Sequence, residues 1–95
     1  LGNTSLDCGT YQLLSPYGET RLNNKEFQLM ELFMRNAETA MERKQILVRI
    51  WGESYTGDDK IVDVNIRRLR MKIEDEPSSP AHLQTVWGFG YKWMP

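Results

Sequence analysis

The chain has 95 residues, 40% of them apolar, and its three Trp, four Tyr and three Phe suffice to fill one interior, which excludes a disordered segment and leaves room for one domain. A net charge of −1 and a pI near 5.8 offer no overall attraction to a polyanion, so a nucleic-acid partner requires charge gathered locally. No apolar run nears the roughly 20 residues that span a bilayer, the opening LGNTSLDCG lacks the basic end and apolar stretch of a signal peptide, and the lone Cys8 excludes an internal disulfide, so a soluble protein of the reducing cytoplasm is expected.

Residues 1–22 read as short strands, SLDC, YQLL and TRL, separated by Gly9 and by the turn cluster Ser15-Pro16-Tyr17-Gly18. They predict a small antiparallel sheet, with Cys8 a small buried residue of its first strand. Asn23 and Glu26 stand at capping-box spacing, so a helix begins near Asn24. Phe27, Met30, Leu32, Phe33 and Met34 give it a broad apolar side before Asn36-Ala37 ends it. After an extended piece around Thr39 to Met41, the segment Arg43 to Trp51 sets Ile46, Leu47, Ile50 and Trp51 on one face of a second helix, whose start at Glu42 lacks a Ser or Thr cap. Gly52 to Asp59, GESYTGDD, has no periodicity and is a loop. Asp58 or Asp59 then caps a third helix reaching about Glu74, in which Val62, Ile66, Leu69 and Ile73 recur as one buried stripe. Glu76-Pro77-Ser78-Ser79-Pro80 cannot continue that helix, and LQTVW and YKWM around Gly88-Phe89-Gly90 close the chain as a hairpin. A sheet over 1–22, a three-helix unit over 24–75 and a hairpin over 82–94 make an α+β fold.

The third helix carries the chemistry. Between Lys60 and Lys72 the cations Lys60, Arg67, Arg68, Arg70 and Lys72 face Asp63 alone. With the apolar stripe inward, Ile61, Val64, Asn65, Arg68 and Lys72 are expected to share the opposite side, bordered by Lys60, Arg67 and Arg70. Such a helix fits the major groove of B-DNA, where Arg bonds guanine bidentately, Asn pairs with adenine and a Val or Ile methyl touches the thymine methyl, while bordering cations neutralise phosphates. The competing reading is a solvated helix laced by i, i+4 pairs, for which Asp63 with Arg67 and Arg70 with Glu74 have the spacing. It leaves Arg68 without an acid three or four positions away, and Lys72 with only Asp75 and Glu76, beyond the helix end. Two helices joined by a loop make a helix-turn-helix-like unit, and a hairpin beside the docked helix reaches the neighbouring minor groove or phosphates through Thr85, Trp87 and Tyr91, with Trp93 in the core.

The runs LNNKEFQLMELF, ERKQILVRIWG, VDVNIRRLRMKIE and LQTVWGFGYKW resemble, from about Thr4 to Met94, the OmpR/PhoB-type winged helix-turn-helix domain of two-component response regulators. The most specific parts are V-D-V-x-I-x-x-L-R-x-K-I and T-V-x-G-x-G-Y. The resemblance implies a transcription regulator that binds double-stranded promoter DNA, with the third helix in the major groove and the hairpin as the wing. Residue by residue it implies base contacts from Val64 and Arg68, and backbone contacts from Trp51, Lys60, Asn65, Arg67, Arg70, Lys72, Thr85 and Tyr91, with Trp87 in the wing. It also implies that the loop Glu53, Ser54, Tyr55, Thr56, Gly57 and Asp58 touches RNA polymerase or its sigma subunit. A receiver domain is implied upstream, in keeping with a first residue, Leu1, expected of a piece of a longer polypeptide, and a monomer pairing head-to-tail on direct repeats is implied on DNA. The chain departs from the family pattern at Asn23, where Thr is usual, at Glu42, where a Ser cap is usual, and at Trp87, where many members place Arg.

Neither an enzyme, a metal nor a cofactor is expected. His82 lies in the connector before the hairpin, solvated or packed on a neighbour, far in sequence from Cys8. Gly88-Phe89-Gly90 is followed by no helix that would present its N-terminus to a phosphate, and capping explains Asp58-Asp59 without a metal. The alternative function is a winged-helix protein–protein interaction module without sequence-specific DNA binding.

Overall fold

The computed structural model describes residues 5–15 and 18–95, so that residues 1–4 and the Pro16-Tyr17 part of the expected turn lie outside it. The chain begins with a three-stranded antiparallel sheet of β1 (Ser5–Asp7), β2 (Gln12–Ser15) and β3 (Gly18–Arg21), in that spatial order. Its register pairs Leu6 with Leu13 and Leu13 with Thr20, and alternation sends Leu13 into the core. The first strand is shorter than SLDC, and Cys8 is exposed instead of buried. The Asp7 carboxylate accepts the N–H groups of Gly9 and Thr10 at 2.9 and 3.3 Å, folding the backbone into a side-chain-supported turn that ends pairing before Cys8.

The capping box at Asn23 and Glu26 is complete, with both bonds at 2.9 Å, and starts α1 (Asn24–Arg35). Phe27, Met30 and Phe33 are buried as expected, together with Leu29, while Leu32 and Met34 are half-buried. Each such burial stabilises the fold by about 1.5–3 kcal/mol. The extended piece after α1 is β4 (Met41–Glu42), which runs directly into α2 (Arg43–Trp51). Glu42 makes no side-chain cap bond, and α2 ends at Gly52, whose φ of 94° lies in the region that only glycine adopts freely. Ile46 is fully buried, with Leu47, Ile50 and Trp51 packed around it.

Helix α3 (Lys60–Ile73) buries Val62, Ile66 and Leu69 completely and half-buries Ile73, as the stripe requires. Asp58 supplies the capping bond: its Oδ1 accepts the Lys60 N–H at 2.9 Å, which holds its carboxyl below the usual carboxylate range, whereas Asp59, at the cap position, makes no side-chain capping bond. The hairpin is β5 (Leu83–Val86) and β6 (Gly90–Trp93), joined by a turn in which Gly88 has φ 74°. It is not an isolated hairpin. Met41 pairs with Tyr91 and Glu42 with Gly90, giving a second sheet of order β4-β6-β5 that welds the hairpin to the start of α2. Trp93 is buried, with His82 stacked on it at 5.5 Å and His82 Nδ1 2.8 Å from the Met94 carbonyl oxygen.

Candidate nucleic-acid interface

At about 100° per residue, Lys60, Ile61, Val64, Arg67, Arg68 and Met71 fall within about 60° of the Val64 direction, opposite the buried stripe. Ile61, at the edge of that arc, is half-buried, and the other five are exposed, Val64 at 45% and Met71 at 67%. Arg67 and Arg68 make no side-chain hydrogen bond or ion pair to any of the described residues. The pair Asp63–Arg67, which the competing solvated-helix reading requires, is absent because the Asp63 carboxylate is engaged elsewhere.

The flanks of α3 turn toward the body and correct the expectation that Asn65 and Lys72 share the outer face. Asn65 is buried and its Nδ2 donates to the Ile61 carbonyl within the same helix at 2.8 Å. Lys72 Nζ donates to Glu26 Oε1 at 2.6 Å and to the Arg21 carbonyl at 3.1 Å. Glu26 is 1% exposed, so the Lys72 ammonium is the countercharge of a buried carboxylate on α1. On the other flank, Arg70 donates from Nε to the Leu83 carbonyl at 2.9 Å and from Nη2 to Thr85 Oγ1 at 2.8 Å, and lies over the Tyr91 ring at 5.5 Å. Glu74, which the spacing pairs with Arg70, accepts instead the N–H groups of Ala81, His82 and Leu83 at 3.0, 3.1 and 2.7 Å.

A second latch joins α2, α3 and the hairpin. Asp63 Oδ1 accepts the Tyr91 hydroxyl at 2.6 Å while Oδ2 accepts Arg43 Nη2 at 2.7 Å. Burial, then the bond and charge of Asp63, push the Tyr91 hydroxyl up to about 12. Between this latch and the hairpin lies a cleft of about 330 Å³, with Arg43 and Asp63 on one side and Thr85, Trp87, Phe89 and Tyr91 on the other. Trp87 stands out from the hairpin tip, 90% exposed, beside a half-exposed Phe89. The geometry is therefore one exposed cationic and apolar helix face with an aromatic-tipped hairpin fixed at its flank by side-chain links from Asp63, Arg70 and Glu74.

Residues 18–93 match the family model described as transcriptional regulatory protein, C terminal. The chain belongs to that family. It is the winged-helix type of the OmpR/PhoB regulators, with β5 and β6 as the wing. It is 52% identical over 68 residues to the sensory transduction protein RegX3 of Mycolicibacterium smegmatis, covering 72% of this chain and 30% of the relative. The response regulator DrrB of Thermotoga maritima, an OmpR/PhoB homologue, superposes with a TM-score of 0.87 at 27% identity over 100% of this chain and 43% of that one. The DNA-binding domain of Klebsiella pneumoniae RstA, solved in complex with the RstA box, gives a TM-score of 0.86 at 30% identity over 99% of this chain and 93% of that one. The winged helix spans about a third of the length of the curated relative.

The remaining family-implied residues lie apart from the α3 face. Trp51 is half-buried, with Lys25 Nζ 5.6 Å from its ring centre and bonded to the Ile50 carbonyl at 3.0 Å. The loop between α2 and α3 exposes Glu53, Ser54, Thr56, Gly57 and Asp58, while Tyr55 is half-buried, its hydroxyl 3.3 Å from the Asp58 carbonyl. Sequence reasoning missed Met71, although extending the 60, 64, 68 series by the alternate step of three finds it. It also missed the latching roles of Arg43, Asp63 and Glu74, whose partners are 20, 28 and up to 9 positions away. No helix among the described residues is long and apolar enough to cross a membrane.

Proposed function

We propose that this winged helix binds double-stranded promoter DNA sequence-specifically, with α3 in the major groove and the wing beside it, as the effector part of a two-component response regulator. The observation that carries the reading is the outer face of α3, where Arg67 and Arg68 stand exposed and unpaired among the described residues next to Val64, while the opposite face is fully buried. A guanidinium without an internal partner loses no salt bridge when it meets a guanine or a phosphate, and Val64 offers a methyl to thymine. Val64 and Arg68 are assigned to base edges, and Lys60, Arg67 and Trp51 to the backbone, together with Thr85, whose hydroxyl accepts from Arg70 and keeps its O–H to donate. Asn65, Arg70, Lys72 and Tyr91, whose polar groups are used internally, are assigned to holding α3 and the wing at their mutual angle. Met71 joins the groove-facing set.

The likeness to the RstA domain, which was solved bound to its own DNA box, supports the same docking here. By likeness to response regulators, the exposed Glu53–Asp58 loop is assigned to RNA polymerase or its sigma subunit, a receiver domain to the parent protein, and head-to-tail pairing of monomers to direct repeats. Selection of bound duplexes from random DNA, followed by anisotropy titration at two salt concentrations, tests the reading. Enrichment of one motif, with affinity that falls steeply as salt rises, is the expected result. Binding indifferent to both sequence and salt would replace it with the protein-interaction reading.

A further inference from the structure

The wing tip has chemistry that the cationic face of α3 does not share. Trp87 is 90% exposed, whereas Trp93 is buried and Trp51 half-buried, so it is the one indole of the chain that folding leaves in water. Phe89, two residues on, is 47% exposed. Between Leu83 and Trp93 the hairpin contains Lys92 and no Asp or Glu, so nothing on it repels a phosphate backbone. Its position relative to α3 is set by the Arg70–Thr85 and Asp63–Tyr91 bonds, and relative to α2 by the Arg43 N–H donating to the Phe89 carbonyl at 3.2 Å. The turn itself is held by Gly88 at φ 74° and by Gly90, where a Cβ would collide with the Met41 carbonyl. An acid-free hairpin tied to α2 and α3 thus holds two aromatic side chains beside the helix assigned to the major groove.

We infer that Trp87, backed by Phe89, is an apolar wedge that enters the minor groove next to the α3 site and selects base steps that unstack easily, without contributing a cation. The inference rests on the DNA reading of the previous subsection and adds the wing's mode of recognition. Apolar side chains that enter the minor groove part base steps and bend the duplex, and pyrimidine–purine steps yield most readily. An aromatic ring displaces no counterion, so its contribution is independent of salt, unlike that of a cation in the same place.

The test uses a duplex recovered by selection, the chain as it stands, Trp87→Ala and Trp87→Arg, with thermal melts to show that substitution at so exposed a position leaves the fold intact. Trp87→Ala is expected to weaken binding roughly tenfold with no change in salt slope, and Trp87→Arg to steepen that slope by about one. Tryptophan emission changes more on DNA addition in the parent chain than in Trp87→Ala, where Trp93 is buried and only Trp51, assigned to the backbone, can still respond. Replacing a TA step by AA where the minor groove faces the wing weakens the parent chain and not Trp87→Ala. If the parent chain binds and Trp87→Ala binds equally well, the wedge is refuted and the tip belongs to a protein partner. If the parent chain binds no duplex, this inference and the DNA reading fall together.

Discussion

Replacing Lys72 with Ala separates two roles that the sequence leaves superimposed. A phosphate contact at this position implies a variant that folds normally and binds all DNA more weakly, with the salt slope reduced by about one. The structure implies the reverse. Glu26 has a side chain only 2% exposed, and Lys72 Nζ sits 2.6 Å from its Oε1. Removing one partner of a fully buried pair costs about 3–5 kcal/mol, because the other charge is left desolvated. The Lys72 side chain is 37% exposed, so water reaches the vacated site, and the Asn23 N–H still holds the carboxylate at 2.9 Å, which lowers the expected loss to about 2 kcal/mol. For a domain of this size that is a fall in Tm of about 8–16 °C. Urea or thermal denaturation followed by circular dichroism measures the loss, and anisotropy below the new Tm measures the salt slope. Adding Glu26→Gln to Lys72→Ala should recover part of the stability, since the uncompensated charge is gone. A variant as stable as the parent whose salt slope drops by about one refutes the argument.

Two further expectations concern the wing. Gly90→Ala forces a Cβ against the Met41 carbonyl oxygen, with the Arg43 nitrogen 2.9 Å away, and should destabilise the chain by about 1–3 kcal/mol in a urea melt; an unchanged midpoint contradicts the β4–β6 contact. Tyr91, whose hydroxyl is pushed up to about 12, should remain protonated while an ordinary tyrosine ionises near 10. Because the folded value is the higher one, the stability from the Tyr91–Asp63 bond is complete below about pH 10 and disappears as pH rises through about 12. An absorbance titration should therefore show Tyr91→Phe lacking only the last phenolate to form, and loss of an earlier one would contradict the assignment.

The sequence made the elements legible because their signals are local. The capping box, the Ile46-to-Trp51 face, the Val62-to-Ile73 stripe and the glycine turn of the hairpin each lie within a dozen residues, and all four appear in the structure. The outer face of α3 was legible at its centre, Val64 and Arg68, and blurred at its edges. Asn65 and Lys72 lie about 80–100° from Val64, where periodicity cannot say whether a residue meets solvent or a neighbour. The neighbour that decides Lys72 is Glu26, 46 positions away, and the one that decides Asp63 is Tyr91, 28 positions away. Cys8 went astray for a local reason, since alternation continues through it while the Asp7 side chain has already turned the backbone. The pairing of β4 with the wing had no signal at all in a two-residue strand.

The central claim is that the exposed side of α3 reads base sequence, and Arg68→Ala tests it most directly. With the selected duplex and a random one titrated side by side, the variant should lose about 1–3 kcal/mol on the selected site, little on the random one, and its preference at one base pair. Equal losses on both duplexes would make Arg68 a phosphate contact, and no loss on either would remove the α3 face from DNA altogether.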